Sequence, residues 1–406
     1  MTRHAALFVA AAFALAACGP GRSPERPDRG ERGRLAAPRA ARPVPPATSI
    51  AALKAVADAA AARADGRPGD EDAAVDLASA LLRLGRVTGE ASLAIGAERV
   101  ARAALDRNAD AYRPRRQLAA ALAAQHRFVD AIREAERCRA MQPRDTSPLA
   151  VIAEASVELG DYTRAFDAVE AMLALRPDAA AYARASHLRQ LQGDIDAAFR
   201  LMRMAADATS PGDAEAAAWH HARIGELLLD AGRARDARRE FEHADHLFAG
   251  HPDARRGLGR ALLAGGSVQD ALATIEGLLA SAPAPADHAL AARALSRLGR
   301  TDEAGRQAKL AEAGWRSDAP DPVQLALWLV EQGRSAEAVA IAESAAATRR
   351  DVFMLDAFAW ACFNDGQTSR AADLYEDIRV AGIVPAPIRR HMNAVTSAQA
   401  ADGGRR

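Results

Sequence analysis

Aromatic residues make up only 4% of this 406-residue chain, and lysine occurs only twice, at Lys54 and Lys309. With β-branched residues also few, little is available to build sheets, whose pleated faces favour those side chains. Three cysteines, Cys18, Cys138 and Cys362, are too few for a disulfide framework. Positive charge is almost wholly arginine and is matched by acid, giving a formal net charge of zero. No bulk field therefore draws the chain to nucleic acid. Catalytic signatures are missing as well. The chain has no Gly-x-Ser-x-Gly elbow, no phosphate loop, no Cys-x-x-Cys and no His-Glu-x-x-His. Neither an enzyme, a cofactor nor a small-molecule substrate is expected.

What is present is alanine, leucine, arginine and glutamate in quantity, the composition of an all-helical protein. The N-terminus differs from the rest. Arg3 and His4 precede an apolar run from Ala5 to Ala17, too short for a bilayer core that needs roughly 20 residues, and so read as an export signal. It ends in Leu15-Ala16-Ala17-Cys18-Gly19, which resembles the lipobox of bacterial lipoproteins. That resemblance implies cleavage after residue 17 and lipidation of Cys18. Gly19 stands where an aspartate retains many such proteins in the inner membrane, so the outer membrane, facing the periplasm, is expected. An ordinary cleaved signal with a chance cysteine is the competing reading.

Residues 18–49 follow as a tether. Seven prolines and seven arginines fall between residues 19 and 49 without apolar periodicity, the composition of an unstructured linker. Its root-mean-square reach is roughly 30 Å. Residues 50–70 are expected to hold an amphipathic capping helix, 71–384 a repeat array, and 385–406 a second capping helix with a frayed tail.

The array is marked by Gly-x-x-x-x-Ala at Gly160, Gly193, Gly232, Gly266, Gly299, Gly333 and Gly366. Every step but one keeps nearly the same length, and a period of about 34 residues signals helix–turn–helix repeats. The long step, from Gly193 to Gly232, is explained by a loop at Asp207–Gly212. Upstream, His126 takes the glycine position. Gly85 precedes it by another long step, with an insertion expected around Val87–Ser92. At position −7 relative to each turn stands a small residue: Ala78, Ala119, Ala153, Ser186, Gly225, Gly259, Ala292, Ala326 and Ala359. With Gly160-Asp161-Tyr162-Thr163-Arg164-Ala165 at one turn and prolines at Pro143, Pro177 and Pro283, the pattern resembles the tetratricopeptide family. The resemblance implies a right-handed superhelix of about nine repeats, each a helix A and a helix B.

In that family the concave surface is lined mainly by helix A, at positions −13, −10, −6, −3 and −2 relative to the turn glycine. Those positions hold Arg256, Arg260, Arg293 and Arg297, whose forked guanidinium groups suit carboxylates. They also hold an acidic stretch, Glu154, Glu158, Trp219, Glu226 and Asp230, and an aromatic cluster of Phe353, Trp360 and Phe363 with Asp356. Solvated charge and a packed tryptophan are the plainer readings of the same residues. His243 and His246 have metal-ligand spacing on one helix face, but nothing supplies a third ligand, so no metal is expected. Cys138 and Cys362 read as buried apolar residues, a disulfide being the other possibility.

The expectation is a non-catalytic scaffold, lipid-anchored in the bacterial envelope, that binds a segment of another envelope protein in its concave groove. Similar architecture occurs in pilotins of type IV pili and in lipoproteins that assist outer-membrane barrel assembly, analogies of fold only. The alternative is a targeting or regulatory subunit of an envelope peptidase or peptidoglycan hydrolase, or an assembly factor.

Overall fold

A computed structural model describes residues 47–281, 283–317, 321–347 and 349–403. The expected export signal, Cys18 and most of the expected tether lie outside the described residues. Among the described residues there are twenty helices and no strands. Helix α1 (Ile50–Gly66) precedes nine antiparallel pairs, and α20 (Ala386–Gly403) follows them. The pairs are α2 (Glu71–Thr88) with α3 (Ala91–Arg107), α4 (Tyr112–Ala124) with α5 (Phe128–Met141), and α6 (Ser147–Glu158) with α7 (Tyr162–Leu175). Next come α8 (Ala179–Leu191) with α9 (Ile195–Asp207), α10 (Ala214–Asp230) with α11 (Ala234–Leu247), and α12 (Pro252–Ala264) with α13 (Val268–Leu279). The last three are α14 (Pro285–Arg297) with α15 (Thr301–Trp315), α16 (Pro322–Glu331) with α17 (Ser335–Ala346), and α18 (Val352–Asn364) with α19 (Thr368–Ala381).

The turns explain the period. From Gly160 to Gly366 each turn glycine takes a left-handed φ between 73° and 84°. The residue after it donates its amide to a carbonyl near the end of helix A, as from Asp161 to Ser156 at 2.8 Å and from Gln367 to Cys362 at 2.8 Å. This closes the end of helix A and points the chain back along its own flank. His126 adopts the same conformation at φ 58°, which costs a residue with a Cβ about 1–2 kcal/mol. Aspartates start many of the helices. Asp161, Asp178, Asp194, Asp213, Asp321 and Asp351 each accept a backbone amide from the first turn.

The first repeat departs from expectation. Gly85 is inside α2, and the left-handed turn falls at Gly89, with φ 73°. The extra residues lengthen helix A by a turn instead of forming a loop, and Gly85 lies where Leu93 of α3 crosses it: a Cβ there would make a tight contact at 3.2 Å with that of Leu93. The other long step is split between a loop at residues 208–213 and an added N-terminal turn on α10.

Small residues let the helices of a pair approach. Ala78, Ala119, Ala153, Ser186, Ala326 and Ala359 are all buried, as are the facing alanines Ala97, Ala131, Ala165, Ala198, Ala237, Ala271, Ala338 and Ala371. The array also closes on itself. The Ala249 amide donates to the Thr48 carbonyl at 2.9 Å, the Val352 amide donates to the Tyr162 hydroxyl at 3.4 Å, and Arg389 lies against Gly193. Each contact joins residues between five and six repeats apart, so one superhelical turn stacks directly on the next. Apolar packing crosses the seam: Leu53 and Leu84 share a core with Phe241 and Ala261, and Val169 shares one with Met354.

Candidate functional site

A half-open cavity of about 870 Å³ lies between the A helices α8, α10 and α12. Positions −13, −10 and −6 relative to the turn all face it in these three repeats. Ala180, Ala183 and His187 come from α8; Trp219, Ala222 and Glu226 from α10; and Asp253, Arg256 and Arg260 from α12. Arg184 and Arg223, at position −9 of their repeats, join them, as do Thr209 and Ser210 of the inserted loop. Positions −3 and −2 of these repeats do not reach it.

Charges in the wall are paired between neighbouring A helices. Arg184 reaches Glu154 at 2.5 Å, Arg260 pairs with Glu226, and Arg256 grips the buried Asp287 of α14 at 2.7 Å as well as Asp253 at 2.9 Å. From across the stacking seam Arg86 of α2 forks onto Glu215 at 2.7 and 3.2 Å, and Arg83 pairs with Asp213. Glu215 is only 1% exposed, so these arginines supply the solvation that water cannot. His187 and His220 are both pushed down to about 4, chiefly by burial, so each is neutral at pH 7. The Nδ1 of His220 is 2.9 Å from the Thr209 hydroxyl.

The other candidate residues are placed elsewhere. Arg293 pairs with Glu331 at 2.8 Å and lies over the Trp328 ring at 5.4 Å, and Arg297 donates to the Leu263 carbonyl at 2.8 Å. Neither lines the cavity. At the far end Trp360 stacks on His391 of α20 at 4.1 Å and contacts Phe363 at 5.5 Å, while Phe353 packs against the core. Asp356 accepts from the Tyr375 hydroxyl at 3.0 Å and contacts His391 Nδ1 at 3.0 Å. The terminal helix thus covers part of the aromatic cluster, as the next helix A would. Of the expected concave surface, the cavity takes in Glu154, Trp219, Glu226, Arg256 and Arg260 and leaves Arg293, Arg297, Phe353, Trp360 and Phe363 outside it.

Arg223, Arg184 and His187 are not among the residues that the sequence singles out. His187 occupies a position the family pattern marks, so its signal is available. The two arginines fall one place off that pattern. Of the histidine group, His221 Nδ1 lies 2.7 Å from Glu240 and edge-on to His243 at 4.4 Å. Among the described residues no three His, Cys, Asp or Glu side chains gather as a metal site. Cys138 and Cys362 are buried free thiols, with Cys138 pushed up to about 11 by burial.

A family model described as tetratricopeptide repeat matches residues 228–298. The chain is a tetratricopeptide-repeat solenoid. No curated protein matches it. Among solved structures it is similar to a chain of the APC/C hetero-tetramer Cut9-Hcn1, at 14% identity and a TM-score of 0.53, over 76% of this chain and 59% of that one. It is also similar to the human IFIT1 dimer with PPP-AAAA, at 14% identity and a TM-score of 0.54, over 82% of this chain and 78% of that one. The present chain therefore spans less than two thirds of the Cut9-Hcn1 chain's length. At this identity the likeness is one of fold alone.

Proposed function

We propose that the solenoid is a non-catalytic scaffold, held to the bacterial envelope by lipid on Cys18, that binds a segment of another envelope protein in its concave cavity. The cavity between α8, α10 and α12 carries this reading. It combines an apolar floor of alanines and Trp219 with convergent arginines and carboxylates, the mixture that anchors and orients a ligand. Its size limits the partner. At about 870 Å³ the cavity is of the size that holds a small ligand or a short stretch of chain.

The anchor rests on Leu15-Ala16-Ala17-Cys18 and on the Pro/Arg-rich stretch behind it. Incorporation of a labelled fatty acid into the wild type and not into Cys18→Ser supports it; an unlabelled wild type removes it. For the cavity, a photo-crosslinking amino acid replaces Trp219 in one strain and exposed Val129 of α5 in another. A defined segment of one envelope protein crosslinked from position 219 alone supports the scaffold. Equal yields from the two positions, or none, overturn it. The identity of that protein separates a general assembly scaffold from a subunit that positions a peptidase or peptidoglycan hydrolase.

A further inference from the structure

The cavity wall carries five arginines: Arg86, Arg184, Arg223, Arg256 and Arg260. Four are in ion pairs with carboxylates. The acids that line the wall are spoken for in turn, Asp178 by Arg176 at 2.6 Å and Asp213 by Arg83. Among the described residues Arg223 alone of the five has no carboxylate partner. One of its nitrogens donates to the Gln190 side-chain oxygen at 2.9 Å, and the Gln190 amide nitrogen donates in turn to Asp230 at 2.9 Å. The amide fixes the guanidinium in place while keeping it apart from Asp230. Five N–H donors serve an arginine, and one is used here.

No carboxylate or charged histidine lies in direct contact with it. His187 and His220 are uncharged at pH 7, and the nearby guanidinium groups of Arg223 and Arg184 help hold the proton off His187. Beside Arg223 the wall turns apolar, with Trp219 and Ala222 on the same helix and Ala179, Ala180 and Ala183 on α8. What sets Arg223 apart is that no carboxylate touches it, and beside an aromatic and alanine-lined stretch of wall it is complemented by one carboxylate on an apolar body. A phosphate or polyphosphate would need more cations than remain unpaired.

We infer that the cavity is a binding site for a free small organic acid, its single carboxylate on Arg223 and its apolar part against Trp219 and the α8 alanines. This goes beyond the scaffold reading, since it gives the same cavity a small-molecule ligand. A partner chain ending in an apolar residue would present the same chemistry, and the test separates the two sources.

Isothermal titration calorimetry on the full chain compares N-benzoyl-phenylalanine with its carboxamide and with a blocked hexapeptide ending in phenylalanine. The free acid is expected to bind at least tenfold more tightly than the carboxamide, the discrimination a charge-assisted hydrogen bond supplies. Arg223→Gln should erase that difference, and Arg223→Lys should keep part of it, with unchanged circular dichroism and melting temperature in both. Equal binding of acid and carboxamide, or a preference that survives Arg223→Gln, overturns the assignment. Binding of the hexapeptide alone also overturns it, making the site a chain-end site. Binding of the acid without a crosslink from position 219 leaves this site standing and removes the scaffold; a crosslink without acid binding does the reverse.

Discussion

Arg86 and Glu215, far apart in the chain, are joined by two hydrogen bonds at 3.2 and 2.7 Å that tie the first repeat to the fifth across the stacking seam. The two partners are unequally solvated. The arginine side chain is 60% exposed and the carboxylate 1%. Removing the arginine strands a buried charge, with Arg83 as its remaining ion-pair partner at 3.4 Å; removing the carboxylate merely releases two arginines to water. Arg86→Ala should therefore cost about 2–3 kcal/mol, and Glu215→Ala about 1 kcal/mol less. Urea unfolding of both variants checks this. Equal costs would mean that Glu215 is hydrated despite its position.

Phe241 of α11 fills the space left by two glycines. Its ring is fully buried. A Cβ at Gly225 would lie 2.7 Å from it, and one at Gly257 would overlap it outright. Gly257→Ala should destabilise the chain by about 2–3 kcal/mol through overpacking. Phe241→Leu in the same chain should recover part of that loss, so that the double variant falls short of the sum of the single effects. Strict additivity, measured by denaturant midpoint, would place the clash elsewhere.

How far the sequence can be read differs between scaffold and site. The turn glycines are visible because a left-handed backbone has few substitutes, and the buried alanines because close helix packing admits little else. Gly85 misleads because it marks a close approach to Leu93 and not a left-handed φ. The positions facing the cavity follow the family pattern in repeats four to six. Their charge state does not. Arg256 and Arg260 look like free forks in a linear chain, yet each meets an acid one repeat away, at Asp287 and Glu226. Such pairing depends on the rise and rotation between repeats, which no local motif encodes. Nor does a repeat pattern reveal that contacts four to six repeats apart close the superhelix.

The same pairing ranks the arginines that share the helix A pattern. Asp287 is buried beneath Arg256, whereas Arg293 and Glu331 are both about half exposed. Arg256→Ala should cost about 2–4 kcal/mol by leaving Asp287 uncompensated. Arg293→Ala should cost no more than about 1 kcal/mol, since exposed pairs contribute little. Thermal unfolding at low and moderate salt tests the order. A larger loss at Arg293 would show that its contact with Trp328 outweighs the ion pair.

Acid should loosen the cavity before it unfolds the rest. An unfolded histidine titrates near 6.5, whereas His187 and His220 titrate near 4 in the fold because burial disfavours their charged form. Between those values the unfolded chain binds protons that the folded chain does not, so stability is full above pH 6.5 and falls as pH drops toward 4. Each histidine contributes at most about 3 kcal/mol to that slope. Asp145, held near 2 by its hydrogen bonds with Tyr112 and Ser147 against the effect of burial, acts in a separate window. Its contribution is present above about pH 4 and is lost only as pH falls from there to 2. Glutamine at position 220 stays neutral and can still meet the Thr209 hydroxyl. Urea midpoints of His220→Gln should accordingly show a flatter slope between pH 6.5 and 4, the rest of it kept by His187, His243 and His251, which burial also holds down, while the fall below pH 4 is unchanged. An unchanged slope between pH 6.5 and 4 would mean that His220 titrates alike in the folded and unfolded chain.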